Sequence, residues 1–476
     1  MSRSDVIVIG AGPAGVSAAV VASENGLDVT LIDEAPAPGG QVYKAPPHEF
    51  RLGASRRSRD TRDGEKLRAL VGRSRVRLVT EQTVWLVTRG FHVHTFGTGA
   101  LRRYQGDALV VATGTYERIV PFPGWTLPGV IGVGAATLLV KGQQVLPGRR
   151  TVVAGCGPLL PVAAAAIVKA GGAIAAYVDL NGPGELLRAL PALATWPGRL
   201  AYGLGLLRDI RRSGAPMLGR HAVVEVRGRH GVEEVRVASV GPDGRPHPRS
   251  TMRMFAADAL AIGHGLIPAT EITQLLGATH AYRRESGGWV PITQDRVRTS
   301  VPGLYVAGDG AGVTGASAAV LHGRLAGLAV VRDAGRLSGQ AHDRRAAEIR
   351  RSLAWDERFA RGVRGMMQAP EGLLDLMTPQ TIVCRCEDLT RNDIDHAVAR
   401  GARGMNELKA WTRCGMGPCQ GRTCGETAAE LVAARVGGRE NTGRWTPRPP
   451  IRPIPIDILA GEFAYGDIVL PPQAPA

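Results

Sequence analysis

Short apolar runs that end in glycine recur along the chain, and their spacing predicts an α/β protein. Positions 6–9 read as a buried strand, 10–15 as a glycine loop, 16–25 as an alanine-rich helix and 29–32 as a second strand. A similar unit restarts at 151–154, with its loop at 155–160 and a following strand at 174–178. Apolar 108–112 runs into Thr113-Gly114, and apolar 304–307 into Gly308-Asp309-Gly310. The long apolar stretch 161–178 carries Lys169 and Gly171-Gly172 in its middle, so it reads as helix, turn and strand, not as a membrane span. Downstream, 336–379 is a helical connection. Short helices are predicted at 390–400, 406–412 and 426–435, the first opened by Thr390 as N-cap with Asp393 three places on.

The first loop has the parts of a dinucleotide site in register. Gly10 makes the tight turn, Gly12 lets a pyrophosphate approach the backbone, and Gly15 allows close helix–sheet packing. Pro13 and Ala14 lie between them, at a helix N-terminus that faces the phosphates. Asp33 and Glu34 end the second strand where a carboxylate meets ribose hydroxyls, and spacing from Gly15 favours Asp33. The second loop, Gly155-Cys156-Gly157, is degenerate because Leu160 holds the third glycine position. That favours a vestigial or repurposed domain over a working NAD site. If occupied, by NAD or another nucleotide, Asp179 would repel a 2′-phosphate and select NAD over NADP. No cysteine follows Gly39-Gly40-Gln41, and Cys156 reads as a small buried filler, so disulfide reduction is not expected.

The other five of the six cysteines are Cys384, Cys386, Cys414, Cys419 and Cys424. Thiolates are soft ligands that suit iron–sulfur clusters or zinc. A ligand cluster plus one isolated cysteine is not a secreted disulfide framework and fits a reducing cytosol, and the N-terminus has no signal-peptide pattern. The net charge of +16 could suggest nucleic acid, but only five of the 58 basic residues are lysine, and a base bias toward arginine codons accounts for that as well as a partner would. The densest basic run, 51–75, is broken by Asp60, Asp63 and Glu65 and has no interleaved aromatics, so it reads as a solvated loop and helix. His92, His94, His264 and His322 are isolated, and no catalytic constellation emerges; His322, downstream of the G-D-G motif, is the one to watch.

Gly39-Gly40-Gln41, Thr113-Gly114 and Gly308-Asp309-Gly310 together resemble the two-dinucleotide-domain flavoproteins of the glutathione and thioredoxin reductase class. The resemblance implies FAD, with Asp309 at its ribityl or pyrophosphate end and a helix starting near Ala316 aimed at the isoalloxazine. Cys384-x-Cys386 and Cys419-x4-Cys424, with Gly417-Pro418 before Cys419, resemble the [2Fe–2S] module named for bacterioferritin-associated ferredoxin. Those four cysteines would be its ligands, with Cys414 as a spare or substitute. With residues 121–130 and a Pro-rich tail (Pro447, Pro449, Pro450, Pro453, Pro455, then Pro471, Pro472, Pro475), residues 1–460 resemble the alpha-type subunit of opine oxidases, hydrogen cyanide synthase and D-hydroxyproline dehydrogenase. The domains are then a FAD domain (1–118 and 282–335), a degenerate second dinucleotide domain (119–281), a helical linker (336–379), the [2Fe–2S] domain (380–436) and a Pro-rich arm (437–476) that lies across this protein or a partner.

That resemblance implies a cytoplasmic electron-transfer subunit, peripheral to the membrane through its complex. It would work with a catalytic beta-type flavoprotein acting on an amino or imino acid, with a small iron–sulfur subunit, and with a respiratory acceptor. It implies no nucleic acid and no integral membrane segment. Two other readings remain: a stand-alone NADH-dependent flavin/iron–sulfur reductase, and a non-catalytic assembly or iron-sensing subunit.

Overall fold

The first apolar run becomes strand Ser2–Ile9, buried from Val6 to Ile9, within a seven-stranded sheet. It pairs in parallel with Val29–Ile32 on one side and Ala100–Val111 on the other. The long strand Ala100–Val111 serves two partners along one edge. Its first half pairs antiparallel with His92–Gly97, and its end pairs in parallel with Leu304–Val306. The downstream G-D-G segment is thereby returned beside the first glycine loop. Helices Pro13–Glu24 and Ala316–Asp333 cross on this sheet in backbone contact. A Cβ at Gly323 would lie 2.1 Å from the Ala14 carbonyl oxygen, so only glycine allows that approach. The computed structural model describes residues 2–44, 46, 50, 59–247 and 250–460.

The second unit is an all-parallel sheet in the order Met217–Gly219, Ala173–Asp179, Arg150–Gly155, Ala259–Gly263, Val130–Gly132. Side chains alternate across it. Val152 and Ala154 face a three-stranded antiparallel sheet carrying Val223, Val235 and Val237, whereas Val153 faces Ile167 and Ile210 of the covering helices. Leu160, at the third glycine position, does not push the helix from its strand. It is instead 1% exposed within that second layer, in a helix that begins at Leu159.

Helix Gly339–Met367, opened by a Ser338 cap, carries the chain to a small cysteine-bearing module. There Thr390 and Asp393 form the capping box of helix Arg391–Ala399, and helices Met405–Thr412 and Gly425–Val436 follow. Cys384, Cys414 and Cys424 share the module's core with Ile394, Leu408 and Val432. The following chain returns to the first sheet, where the Ile451 N–H donates to the Trp85 carbonyl at 2.8 Å. The arm therefore lies across its own chain as far as it is described; Pro471, Pro472 and Pro475 lie outside the described residues. Of the basic run, 51–58 also lie outside them, and Arg59–Arg73 is a helix with Leu67 and Val71 buried. Among the described residues, no helix is long and apolar enough to cross a membrane.

Candidate cofactor sites

Close backbone approaches gather the residues of the first site. A Cβ at Gly15 would lie 1.7 Å from the Gly10 oxygen, and one at Gly10, where φ is +102°, 2.4 Å from the Ala112 oxygen. Ala112 leads directly to Thr113 and Gly114, and Thr113 Oγ1 donates to the Ala269 carbonyl at 2.9 Å. The Gly39 N–H donates to the Ala11 oxygen at 2.9 Å, which seats Gly40 on Gly12 and leaves Gln41 exposed beyond it. Gly308 meets Ala14, and Gly310 faces Gly114 and Thr113. Gly10, Gly12, Pro13, Ala14, Gly15, Gly40, Thr113, Gly114, Gly308, Asp309 and Gly310 thus surround one place.

The two acids at the end of Val29–Ile32 play different parts. Asp33 Oδ2 accepts from the Ala11 N–H and its Oδ1 from the Ala35 N–H at 2.7 Å, so its carboxylate shapes the loop. Burial raises its pKa. Glu34, beside it, is exposed. Each Asp33 oxygen serves one backbone N–H and keeps a further lone pair, so Asp33 and the exposed Glu34 both stay candidates for the ribose contact. Asp309 Oδ1 accepts from the N–H groups of Thr314 and Gly315 at 2.8 and 2.9 Å. Among the described residues its Oδ2 has no partner. Helices Pro13–Glu24 and Ala316–Asp333 both start at a glycine without a side-chain cap. Two uncapped, positively polarised helix ends and a glycine cradle fit a dinucleotide pyrophosphate such as that of FAD.

His322 lies in the second of these helices, buried, with Nδ1 unpartnered and its pKa lowered by that burial. His264 accepts from the Val120 N–H at 3.2 Å, and burial pushes it down to about 4.

The second loop is covered by its own chain. A Cβ at Gly157, where φ is +92°, would lie 3.1 Å from Met367 Cγ, and the Cys156 thiol contacts the Met367 carbonyl at 3.5 Å. Asn181 Nδ2 donates to the Met366 oxygen at 3.0 Å and to Asp179 Oδ1 at 2.9 Å. Asp179 also accepts from the Asn181 N–H and the Tyr177 hydroxyl, and burial raises its pKa. Gly155 lies against Gly263, where a Cβ would stand 1.8 Å from the oxygen. Leu373 joins Cys156 and Leu180 in one apolar cluster. Burial pushes the Cys156 thiol up to about 12, as suits a filler and not a nucleophile.

All five C-terminal thiols converge, none in a disulfide. The sulfurs of Cys384, Cys414 and Cys424 lie within 4.8 Å of one another, and Cys386 and Cys419 form a neighbouring pair. Hydrogen bonds from Cys414 and Cys424 pull the Cys384 thiol down to about 2, and Cys424 is the largest influence holding Cys419 near 5. The same contacts raise Cys414 and Cys424, and burial raises Cys386, so it is the convergence of five soft donors that fits a metal cluster. Cys414, set aside as a spare, is among the three mutually nearest sulfurs. The Trp445 ring covers the loop, standing where Cβ atoms on Gly415, Gly421 and Gly425 would be, and its Nε1 donates to the Met405 oxygen at 2.7 Å.

The stretch that leaves the Thr113-Gly114 turn joins the two sites. Arg118 pairs with Glu430 at 3.0 Å and Glu426 at 3.4 Å, and Thr427 Oγ1 donates to the Ile119 oxygen at 2.8 Å. Tyr116 OH donates to Glu271, Arg422 pairs with the same carboxylate at 2.9 Å, and Arg452 donates to Tyr116 OH. Sequence reasoning missed these residues. The available signal was the run Thr115-Tyr116-Glu117-Arg118, aromatic and charged, directly after the glycine turn.

Residues 4–323 match the pyridine nucleotide-disulphide oxidoreductase family, and residues 378–462 the sarcosine oxidase A3 domain. An opine oxidase subunit of Agrobacterium tumefaciens is 36% identical, over 96% of this chain and 91% of that protein. The hydrogen cyanide synthase subunit HcnB of Pseudomonas aeruginosa is 34% identical, over 94% of this chain and 97% of its own length. Among solved structures, L-proline dehydrogenase from P. horikoshii shares the fold with a TM-score of 0.67 at 22% identity, covering 96% of this chain and 80% of that one.

Proposed function

We propose, for a chain that belongs to the pyridine nucleotide-disulphide oxidoreductase family and, within it, with the opine oxidase subunits, the role of electron-transfer subunit in a multi-subunit dehydrogenase of amines. The donor bond is the C–N bond of an amino or imino acid, such as D-hydroxyproline, an opine or a related secondary amine. Its partners are a catalytic beta-type flavoprotein and a small iron–sulfur subunit, with a respiratory carrier as the acceptor. FAD, when bound, supplies two-electron chemistry and a [2Fe–2S] cluster one-electron chemistry. Gly10, Gly12, Gly15, Gly40, Thr113, Gly114 and Asp309 would hold the flavin, Asp33 or Glu34 its ribose, and the C-terminal thiols the cluster.

One observation carries this reading. The thiol-bearing module docks onto the stretch that leaves the flavin turn, through Arg118 with Glu426 and Glu430 and through Thr427 with Ile119. Two candidate redox sites are thereby joined through ion pairs and a hydrogen bond, while no acid–base constellation for substrate chemistry stands beside either of them among the described residues. The reading as a self-sufficient NADH reductase is disfavoured by Met366 and Met367, which cover the second glycine loop.

The test is anaerobic expression of the full chain, with absorption and electron paramagnetic resonance spectra before and after NADH, candidate amino and imino acids, and then a partner flavoprotein. The expected outcome is flavin with a reducible [2Fe–2S] signal, unchanged by NADH and silent to every substrate until the partner is added. Rapid bleaching of the flavin by NADH alone would overturn it in favour of the reductase, and zinc in place of iron would exclude electron transfer through the thiol module.

A further inference from the structure

Five thiols stand where a [2Fe–2S] cluster takes four, two on each iron, and the five are not equivalent. Cys384, Cys414 and Cys424 form an inner group, each 1% exposed or less, with Cys414 and Cys424 sulfurs 4.0 Å apart. Cys386 and Cys419 form an outer pair, the first exposed and the second half-buried. They contact each other, and Cys419 also reaches Cys424. The inner group therefore offers three thiols and the outer pair two.

Resting on the [2Fe–2S] reading above, we propose that Cys414 is a reserve ligand of the inner iron, able to replace either Cys384 or Cys424, whereas Cys386 and Cys419 have no substitute. The backbone holds Cys414 in place. It follows Arg413, whose φ of 65° ends helix Met405–Thr412, and its N–H donates to Thr412 Oγ1 at 3.1 Å. The next residue, Gly415, lies under the Trp445 ring. No side-chain search through solvent is needed for its sulfur to reach the inner pair. In a chain lacking the Cys384 sulfur, the Cys414 thiol gives its proton to water and an iron–sulfur bond forms in place of the missing one. Four thiolates again surround the two irons, and no electron is gained or lost.

The full chain is purified anaerobically as wild type, Cys384→Ser, Cys386→Ser, Cys414→Ser and the double variant Cys384→Ser/Cys414→Ser. Iron and sulfide per flavin are measured, with the paramagnetic resonance of the reduced protein. Cys414→Ser and Cys384→Ser are expected to keep wild-type iron and an all-thiolate signal. Cys386→Ser is expected to show an oxygen-ligated signal or lose the cluster, and the double variant to lose iron by about tenfold or more. If Cys384→Ser shows the same loss or the same oxygen-ligated signal as Cys386→Ser, the inference is overturned. Flavin content reports folding; should Cys384→Ser not fold, Cys424→Ser and its double with Cys414→Ser give the same contrast. A wild type without iron overturns the reading beneath the inference, whereas a wild-type cluster with equal loss in the single variants overturns the inference alone.

Discussion

The loops at 10–15 and 155–160 share a strand, a left-handed glycine and a following helix, yet their surroundings are opposite. At the first, Gly12 faces open space: its φ is −73° and an added Cβ would find only Gly40 Cα, 3.8 Å away. At the second, Gly157 faces Met367, and Asn181 ties the Met366 carbonyl to Asp179. The lesson is that a glycine loop makes a nucleotide site available, and a segment from elsewhere in the chain decides whether it stays open. The first loop is roofed by the G-D-G turn, which brings an unused carboxylate oxygen. The second is roofed by a helix end, which brings methionines.

The sharpest way to break this contrast is Gly12→Val. A Cβ at Gly12 meets nothing closer than 3.8 Å, so stability should stay within about 1 kcal/mol, while flavin content falls about tenfold or more because the cradle is filled. Flavin absorbance per chain and thermal melting read the two effects separately, and full flavin retention would show that the first loop is not the cradle.

At the second loop the effects fall on stability alone. Asn181→Ala leaves the Met366 carbonyl and Asp179 each short of a donor, at a cost of about 1–3 kcal/mol with flavin unchanged. The pH dependence has a definite sign. Burial already raises Asp179, and losing Asn181 raises it further, so the folded state disfavours the carboxylate more than the unfolded chain does. The deficit should be largest at neutral pH and shrink as pH falls through the raised pKa, as denaturant titrations across that range would reveal. The smallest effect is expected for Gly157→Ala, about 1 kcal/mol of left-handed backbone strain, since the flexible Met367 side chain can yield. A change in flavin content in either variant would mean that the second loop communicates with the first.

Much of the first site was legible in the sequence because its signals are local. A glycine's role in a turn, a helix following the glycine loop and an acid at a strand end need only a few neighbouring residues to define them. The loop-shaping part of Asp33 was not legible, since it depends on which carboxylate the Ala11 and Ala35 N–H groups capture. Leu160 shows the limit of motif logic: the helix starts late enough to turn that side chain into the core. The covering of Gly157 by Met367 and the pairing of Arg118 with Glu426 and Glu430 join positions far apart in the chain, and neither leaves a periodic or compositional trace. In the cysteine module the spacing marked a set of thiols that converge. It could not rank Cys414, whose closeness to Cys384 and Cys424 follows from where helix Met405–Thr412 ends.

The arm that carries Trp445 and Ile451 has a consequence for the order in which the molecule is made. Trp445 covers the thiol loop, Gln420 and Arg422 donate to the carbonyls of Pro450 and Ile451, and Ile451 is pinned to Trp85. These residues leave the ribosome after both the strand they bind and the loop they cover. Until then the sulfurs lie beneath an unroofed loop beside a sheet that has already acquired all its strands. Any metal taken up by these thiols would therefore have a window during synthesis that closes when Trp445 and Ile451 dock.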